Sequence, residues 1–198
     1  ENNMFSTDKL DRSHLEINFE ELKTLSEYSR QIGIEPFATA FTEKTLEWCE
    51  ELNFKYLKIP ARMHSENKKL RDLILKSKKQ IFISVRPNEL NAIKISKKEN
   101  FIFLACVSSY PTLLSDVNIP NFSESIFDGI SDHSLGIAAA LKTSALGAKY
   151  LEKHFTLDKN FQKHNEKGHL GAMDPEDLKL LKNLTTEMEL IGTKISKI

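Results

Sequence analysis

The residues most able to do chemistry in this chain are two histidines that follow two successive strand-like segments. His133 ends segment 125–133 and His154 ends segment 149–154, with one helix-length apolar stretch between them. Parallel strands joined by a helix can lie side by side, and their carboxyl ends then meet at the same edge of the sheet. Both imidazoles could therefore point into one small space, which predicts a two-histidine metal site.

The ligand set of this predicted site is incomplete, which suits catalysis. The two histidine nitrogens are the only ligands that the pair provides. A metal would therefore complete its coordination shell with water or substrate oxygen and keep coordination positions open for substrate. Asp132 directly precedes His133, and Glu152 lies two residues before His154. Both are candidates for extra metal ligands or for partners that orient the histidines. A lone histidine at a strand end is more often a hydrogen-bonded structural residue, so the prediction depends on the pair.

A lysine inside an apolar strand is the second unusual feature. Lys58 lies in segment 56–60, and burying an ammonium without a partner is costly. One interpretation is a pairing with a neighbouring acid. The other is a cation that binds a phosphate or carboxylate, an anion that the hydroxyls of Thr39, Ser84 and Ser131 could share.

The polar segment 108–112 follows an apolar strand and contains Tyr110. It is either a turn or the lining of a sugar pocket. Four further histidines lie in predicted helix starts or polar loops, where solvated side chains are expected: His14, His64, His164 and His169. The last two could still reach the site from their loop.

The elements that must position these residues alternate between strand and helix. Strands are predicted at 36–41, 56–60, 80–85, 101–107, 125–133 and 149–154. The helices between them have the expected N-caps, for example Asn18 with Glu21 and Asp174 before a proline. Continuous rather than alternating apolar strands indicate a parallel sheet covered by helices. A doubly wound sheet and a β/α barrel both fit, and polar residues at several strand ends favour the barrel.

Composition limits the class of protein. The chain has 198 residues, of which 40% are hydrophobic and 28% charged, and this predicts a soluble globular protein with one domain over residues 1–198. Its 28 basic and 28 acidic residues cancel, which argues against nucleic acid and anionic membranes as partners. The chain has two cysteines, which lack metal-ligand spacing, and no apolar run is long enough to span a membrane. Together these features predict a cytoplasmic location.

Five longer motifs carry a family resemblance. They are Phe-Ala-Thr-Ala-Phe at 37–41, Tyr-Leu-Lys-Ile at 56–59, Cys-Val-Ser-Ser-Tyr-Pro-Thr at 106–112, Gly-Ile-Ser-Asp-His-Ser-Leu-Gly at 129–136 and Leu-Glu-Lys-His-Phe-Thr at 151–156. In this order they resemble the sialic acid synthase (N-acetylneuraminate synthase) family over nearly the whole chain. The resemblance implies a (β/α)8 TIM-type barrel. We expect about six of its eight β/α units here, without the first two units and without the family's C-terminal antifreeze-like domain.

The resemblance also implies an activity. That family condenses phosphoenolpyruvate with N-acetylmannosamine or a related N-acylated amino sugar, and it releases phosphate and a nine-carbon 2-keto acid. It implies a divalent ion on His133 and His154, expected to be manganese, with magnesium or cobalt as alternatives. The phosphoenolpyruvate contacts fall on Thr39, Lys58, Ser84 and Ser131, and the sugar-side contact on Tyr110. His133, His154 and Lys58 are the residues predicted to be catalytic.

Some family features differ in this chain. Met63 stands where a glutamate follows the Lys-Ile motif, Ala105 replaces a histidine, and segment 163–166 replaces a Gly-Pro-Asp motif. A six-strand barrel would expose two sheet edges, so we expect a homo-oligomer or a partner that covers them. The alternative function is a catalytically impaired family member that serves as a sugar- or phosphate-binding module or as a barrel-completing interaction module.

Overall fold

The computed structural model describes residues 16–159 and 170–191. The chain forms two compact units that divide between Ile81 and Phe82, and each unit is described by itself. The prediction of one domain over residues 1–198 stays a prediction. His14, His164, His169 and the predicted loop at 163–166 lie outside the described residues.

The first helix, α1 (Phe19–Gln31), begins and ends where local sequence signals require. The Asn18 side chain accepts a hydrogen bond from the Glu21 amide at 3.0 Å, and the Glu21 carboxylate accepts one from the Asn18 amide at 2.8 Å. This capping box satisfies two amides that lack helical partners. Gly33, with φ +79°, takes the left-handed conformation that stops the helix.

The rest of the first unit is built from three helices and one strand. These are α2 (Glu43–Glu51), β1 (Tyr56–Ile59), α3 (Met63–Glu66) and α4 (Lys68–Ile74). The buried apolar side chains of this unit include Cys49, Phe54, Leu57, Leu70 and Ile74. The core-facing side chains are thus Cys49 of α2 and Leu70 and Ile74 of α4, whereas Leu73 of α4 is 42% exposed.

The predicted strand at 36–41 is wrong, since these residues form no strand. Pro36 has no amide hydrogen to donate to a ladder, and β1 is the terminal strand of the sheet. The Phe37 ring still packs edge-on against Tyr56 of β1, with ring centroids 5.7 Å apart. The segment therefore makes a side-chain contact with β1 without joining the sheet, and the described residues contain five strands rather than six.

His64 also differs from its prediction. We expected a solvated side chain, but only 7% of the residue is exposed. It lies in α3, which starts four residues after β1 and has Met63 buried beside it. A short helix packed directly after a core strand buries its first turn, so the polar neighbourhood of His64 in sequence was misleading.

Strand β2 (Gln80–Val85) runs across the division and leads into the second unit. The elements that follow are a 3-10 turn (Pro87–Glu89), α5 (Leu90–Ile93), β3 (Phe101–Cys106), a second 3-10 turn (Leu114–Asp116), β4 (Phe127–Asp132), α6 (Ala138–Ala145), β5 (Tyr150–Lys153) and α7 (Pro175–Leu190). The strand order in the sheet is β1-β2-β3-β4-β5. Each strand thus lies beside the next one in the chain, as in a β/α barrel and unlike a doubly wound sheet.

The register of β4 and β5 places the two strand ends side by side. The strands are parallel, and Gly129 pairs with Tyr150, Ser131 with Glu152 and Asp132 with Lys153. A Cβ atom on Gly129 would lie 1.8 Å from the Tyr150 carbonyl oxygen, so only glycine allows this approach. The residues after the two strands, His133 and His154, consequently leave the sheet at the same edge.

Helices α6 and α7 contribute to the core of the second unit. Ala140 of α6, Leu181 of α7 and Met173 form a buried cluster, against which Leu151 of β5 packs. The alanines of α6 are small, and small side chains allow close approach of neighbouring elements. Within residues 16–159 and 170–191, no helix has both the length and the apolar character of a membrane span.

Candidate active site

The two predicted metal histidines lie together at the carboxyl ends of β4 and β5. Their ring centroids are 5.5 Å apart, and the ring planes meet at 81°. Both residues are half-buried, so each keeps part of its surface accessible. The spacing of the sequence motifs therefore correctly predicted that these two imidazoles meet.

The orientation of His133 is fixed by a backbone carbonyl. Its Nδ1 atom lies 2.9 Å from the carbonyl oxygen of Val107. A carbonyl oxygen only accepts hydrogen bonds, so Nδ1 carries the hydrogen and Nε2 keeps its lone pair. The Ser131 hydroxyl lies 3.4 Å from that Nε2 and can donate to it. A histidine that binds a metal through Nε2 needs this tautomer, because the lone pair of Nε2 is then available to the ion.

The sequence analysis did not include Val107 among the site residues. Its role is carried by a main-chain oxygen, which residue type does not reveal. The signal that could have found it is positional, because Val107 directly follows β3 and β3 pairs with β4. The residue after one strand can thus reach the residue after its neighbour.

The backbone of each histidine is tied to a second chain segment. The His133 carbonyl oxygen accepts from the Thr112 amide at 3.0 Å, and the His154 carbonyl oxygen accepts from the Met173 amide at 2.8 Å. Gly171 also packs here, since a Cβ atom on it would lie 2.6 Å from the His133 carbonyl oxygen. The backbone of His133 is therefore held by two neighbouring segments and that of His154 by one.

Tyr110 completes a cluster of three rings. Its centroid lies 4.1 Å from that of His133 and 5.8 Å from that of His154. A small, open cavity of about 20 Å³ adjoins His133 and Ser131. Its lining also includes Ala105, Cys106, Val107, Thr112, Val117, Asn118, Ile130 and Asp132. The predicted sugar-side residue and the predicted metal histidines are thus one group in space.

The hydroxyls of Ser84 and Ser131 lie on the face of the sheet that carries the histidines. Ser131 stands opposite Glu152 in the parallel ladder, and Ser84 Oγ donates to Glu152 Oε2 at 3.5 Å. Both serines are buried. The structure therefore places Ser84 against the Glu152 carboxylate and Ser131 beside the His133 ring, on the face of β4 and β5 that leads to the two histidines.

Asp132 faces the other side of the sheet, because successive side chains of a strand alternate. Its Oδ2 atom accepts from Lys153 Nζ at 2.8 Å, and its Oδ1 atom accepts from the Ser134 amide at 2.8 Å. Both of its oxygens are engaged away from the imidazoles. The sequence analysis considered Asp132 as an extra ligand or an orienting partner of the histidines, and it missed Lys153.

The described part of the chain offers no larger set of possible metal ligands around the two histidines. No group of three or more His, Cys, Asp or Glu side chains is arranged there to hold a metal ion. A metal bound by His133 and His154 would take its other ligands from water or substrate. The metal ion on His133 and His154 stays a prediction.

Thr39 and Lys58 lie in the first unit. Lys58 is on β1 and only 5% exposed, and Thr39 is half-buried before α2. Their assignment as phosphoenolpyruvate contacts stays a prediction. Met63, at the position of the family's glutamate, is 2% exposed and offers only a thioether, while Ala105 is buried within β3.

Comparison with known proteins agrees with this geometry. Residues 5–197 match the model of the NeuB family. With N,N'-diacetyllegionaminic acid synthase of Legionella pneumophila the chain shares 31% identity over 197 residues, covering 89% of this chain and 53% of that protein. With N-acetylneuraminate-9-phosphate synthase of Mus musculus it shares 32% identity, covering 84% and 49%.

The solved structures include a similar chain. It is the N-acetylneuraminic acid (sialic acid) synthetase of Leptospira borgpetersenii serovar Hardjo-bovis in complex with citrate, with a TM-score of 0.78 and 29% identity, covering 92% of this chain and 67% of that one. This likeness confirms the predicted α/β fold of the β/α-barrel type. The chain spans about half the length of the two curated relatives. The match over residues 5–197 shows that the chain belongs to the NeuB family.

Proposed function

We propose that this chain carries the active site of a sialic acid synthase-type enzyme. The reaction joins the methylene carbon of phosphoenolpyruvate to the aldehyde carbon of an N-acylated amino sugar. Water adds to the former enol carbon and phosphate leaves, which gives a nine-carbon 2-keto acid. The observation that carries the proposal is the cluster of His133, His154 and Tyr110 at the ends of neighbouring strands in a NeuB-family chain.

The histidine pair fits a divalent metal ion by its donor chemistry. His133 keeps the Nε2 lone pair because its Nδ1 hydrogen is donated to Val107, and two neutral imidazoles suit manganese, magnesium or cobalt to different degrees. His154 lies within reach of the same ion at a ring separation of 5.5 Å. When bound, the ion would supply Lewis-acid polarisation of the sugar aldehyde.

The protein's own groups bind and orient the two substrates in this proposal. Ser84 and Ser131 offer hydroxyl donors to the phosphate or carboxylate of phosphoenolpyruvate, and Lys58 and Thr39 are proposed to add a positive charge and a third hydroxyl. Tyr110 is proposed to contact the sugar, since its ring packs beside both imidazoles. Substrates held in this way would meet with their reacting carbons aligned.

The test is release of inorganic phosphate from phosphoenolpyruvate with manganese and a panel of acceptors. The panel contains N-acetylmannosamine, its 6-phosphate and a diacetamido hexose, because the relatives are named for a phosphorylated and a diacetylated product. We expect phosphate release that depends on one of these sugars and a keto acid of matching mass. Absence of sugar-dependent release from the intact protein with every acceptor would sink the proposal.

Variants at the cluster make this test specific. His154→Asn should remove turnover, whereas Tyr110→Phe should raise the KM for the sugar and leave the KM for phosphoenolpyruvate near the wild-type value. Lys97→Met is the matched control, since Lys97 pairs with Asp128 near the start of β4 and should leave both constants unchanged. Equal effects of His154→Asn and Lys97→Met would contradict the assignment.

A second candidate is a binding or interaction module without turnover. The buried Met63 favours it, because a thioether cannot move a proton where the family has a glutamate. In that case phosphoenolpyruvate would bind and protect the protein from thermal unfolding, while no acceptor would yield phosphate. Met63→Glu would then be the variant expected to restore turnover.

A further inference from the structure

We propose that Asp132 and Lys153 form a positioning pair that sets the geometry of His133 and His154. The proposal rests on the proposed function, because it concerns the same two imidazoles. The pair lies on the opposite face of the sheet from Ser131 and Glu152. Its members need not touch substrate, and they act through the backbone that carries the histidines.

The Asp132 side chain closes the turn in which His133 lies. Asp132 Oδ1 accepts from the Ser134 amide at 2.8 Å, so one carboxylate oxygen spans the residues before and after His133. Such side-chain turns fix the local backbone. The direction in which His133 leaves β4 consequently depends on Asp132.

Lys153 joins this turn to the other histidine. Its Nζ atom donates to Asp132 Oδ2 at 2.8 Å and to the Ser134 carbonyl oxygen at 2.7 Å. Lys153 itself directly precedes His154 and pairs in register with Asp132. One ammonium therefore holds both ends of the His133 turn and the residue from which His154 departs.

A contribution to stability alone does not explain a charged pair that is this deeply buried. The side chains of Asp132 and Lys153 are each 1% exposed. Desolvating two charges offsets much of their attraction, and an apolar pair of similar volume often stabilises a fold as well or better. A gain in histidine geometry explains why charged, directional partners stand at this position.

The experiment uses the intact protein and the double variant Asp132→Asn/Lys153→Met. The double variant removes both charges together, so it avoids the unpaired buried charge that either single variant would leave. Its matched control is Asp128→Asn/Lys97→Met, which removes the other aspartate–lysine pair of β4. Thermal unfolding first establishes that both double variants are folded.

Two readouts then separate positioning from a general loss of structure. Mn²⁺ affinity is measured by electron paramagnetic resonance of the free ion, and outer partners of metal-binding histidines change affinity by roughly 10–100-fold. The tautomer of His133 is measured by long-range ¹H–¹⁵N NMR on protein with ¹⁵N-labelled histidine. We expect the Asp132/Lys153 variant to lose at least about tenfold in Mn²⁺ affinity and to show mixed tautomers, with the control unchanged in both.

The outcomes distinguish this proposal from the proposed function. Wild-type Mn²⁺ affinity and a single His133 tautomer in the folded Asp132/Lys153 variant would overturn the positioning role and leave the proposed function standing. A wild-type protein that neither binds Mn²⁺ nor releases phosphate would contradict the proposed function. The NMR comparison would then decide the positioning role by itself, because it needs no metal.

Discussion

Strand β4 carries two aspartate–lysine pairs, one at each end, and they differ in surroundings rather than in chemistry. Near the amino end, Asp128 pairs with Lys97 and also accepts from the Phe103 amide at 2.8 Å. At the carboxyl end, Asp132 pairs with Lys153. The first pair has side-chain exposures of 24% and 38%, and the second of 1% and 1%. The same charges are thus solvated at one end and dependent on each other at the other.

This difference shows how position in a β/α fold changes what an ion pair does. The pair at the amino end links a loop to the sheet, where water and salt screen the charges. The pair at the carboxyl end stands directly before His133 and His154, where side chains of catalytic β/α proteins gather. We therefore expect the first pair to be expendable and the second to affect both stability and the site.

The largest expected effect comes from breaking each pair on its lysine side. Lys153→Met leaves Asp132 buried without its cation and should lower the free energy of unfolding by about 3–5 kcal/mol. Lys97→Met should lower it by about 0–1 kcal/mol, because Asp128 is partly exposed and keeps the Phe103 amide. Urea unfolding of the two variants measures both values, and losses of equal size would remove the contrast between the two ends.

A smaller effect is expected from the backbone that packs on the carboxyl end. Gly171→Ala places a Cβ atom 2.6 Å from the His133 carbonyl oxygen, so the variant should lose about 1–3 kcal/mol of stability by overpacking. It should also lower Mn²⁺ affinity, since the carbonyl it displaces belongs to His133.

The control for this variant is Gly147→Ala, which meets no neighbour but has φ +89°. It should lose about 1–2 kcal/mol through backbone strain and keep wild-type Mn²⁺ affinity. If Gly171→Ala also kept wild-type affinity, the packing around His133 would have no part in the site.

The smallest effect concerns a third, exposed cluster at the start of α7. The Asp174 side chain accepts a hydrogen bond from the Asp177 amide and forms an ion pair with Lys159. These two interactions hold the pKa of Asp174 below its ordinary value. A carboxyl with a lowered pKa in the folded state stabilises the protein above its ordinary pKa, and this contribution is lost as pH falls through the lowered value.

We therefore expect the melting temperature of the wild type to fall slightly more steeply below about pH 4 than that of Asp174→Asn. Asparagine keeps the N-cap acceptor but does not titrate. Thermal unfolding between pH 2.5 and 6, conditions chosen to span roughly the carboxyl range, measures the two slopes. Identical slopes would show that Asp174 contributes nothing through its charge.

Local sequence signals predicted much of the fold. The N-cap of α1 at Asn18 and that of α7 at Asp174 are where the sequence places them, and β2 spans the predicted residues. These features depend on neighbours along the chain. The strand predicted at 36–41 is wrong because joining the free edge of β1 needs a matching row of backbone donors and acceptors, and Pro36 lacks the amide hydrogen.

The sequence could predict those site residues that are recognisable by residue type and by their position at a strand end. His133 and His154 meet because both follow parallel strands that are neighbours. Residue type did not predict the contacts of Val107 and Lys153, because Val107 acts through a main-chain oxygen that only its position after β3 could have suggested, and Lys153 reaches Asp132 through a register that only the folded sheet defines. The burial of His64 likewise depends on how α3 packs after β1.

The most direct test of the central claim is an anomalous diffraction map of crystals of the intact protein soaked with Mn²⁺, recorded at the manganese edge. The account predicts one strong peak at roughly 2.0–2.3 Å from His133 Nε2 and from a ring nitrogen of His154, distances typical of first-row metals bound to imidazole. A map with no peak at this pair, or with its peak elsewhere in the molecule, would contradict the account.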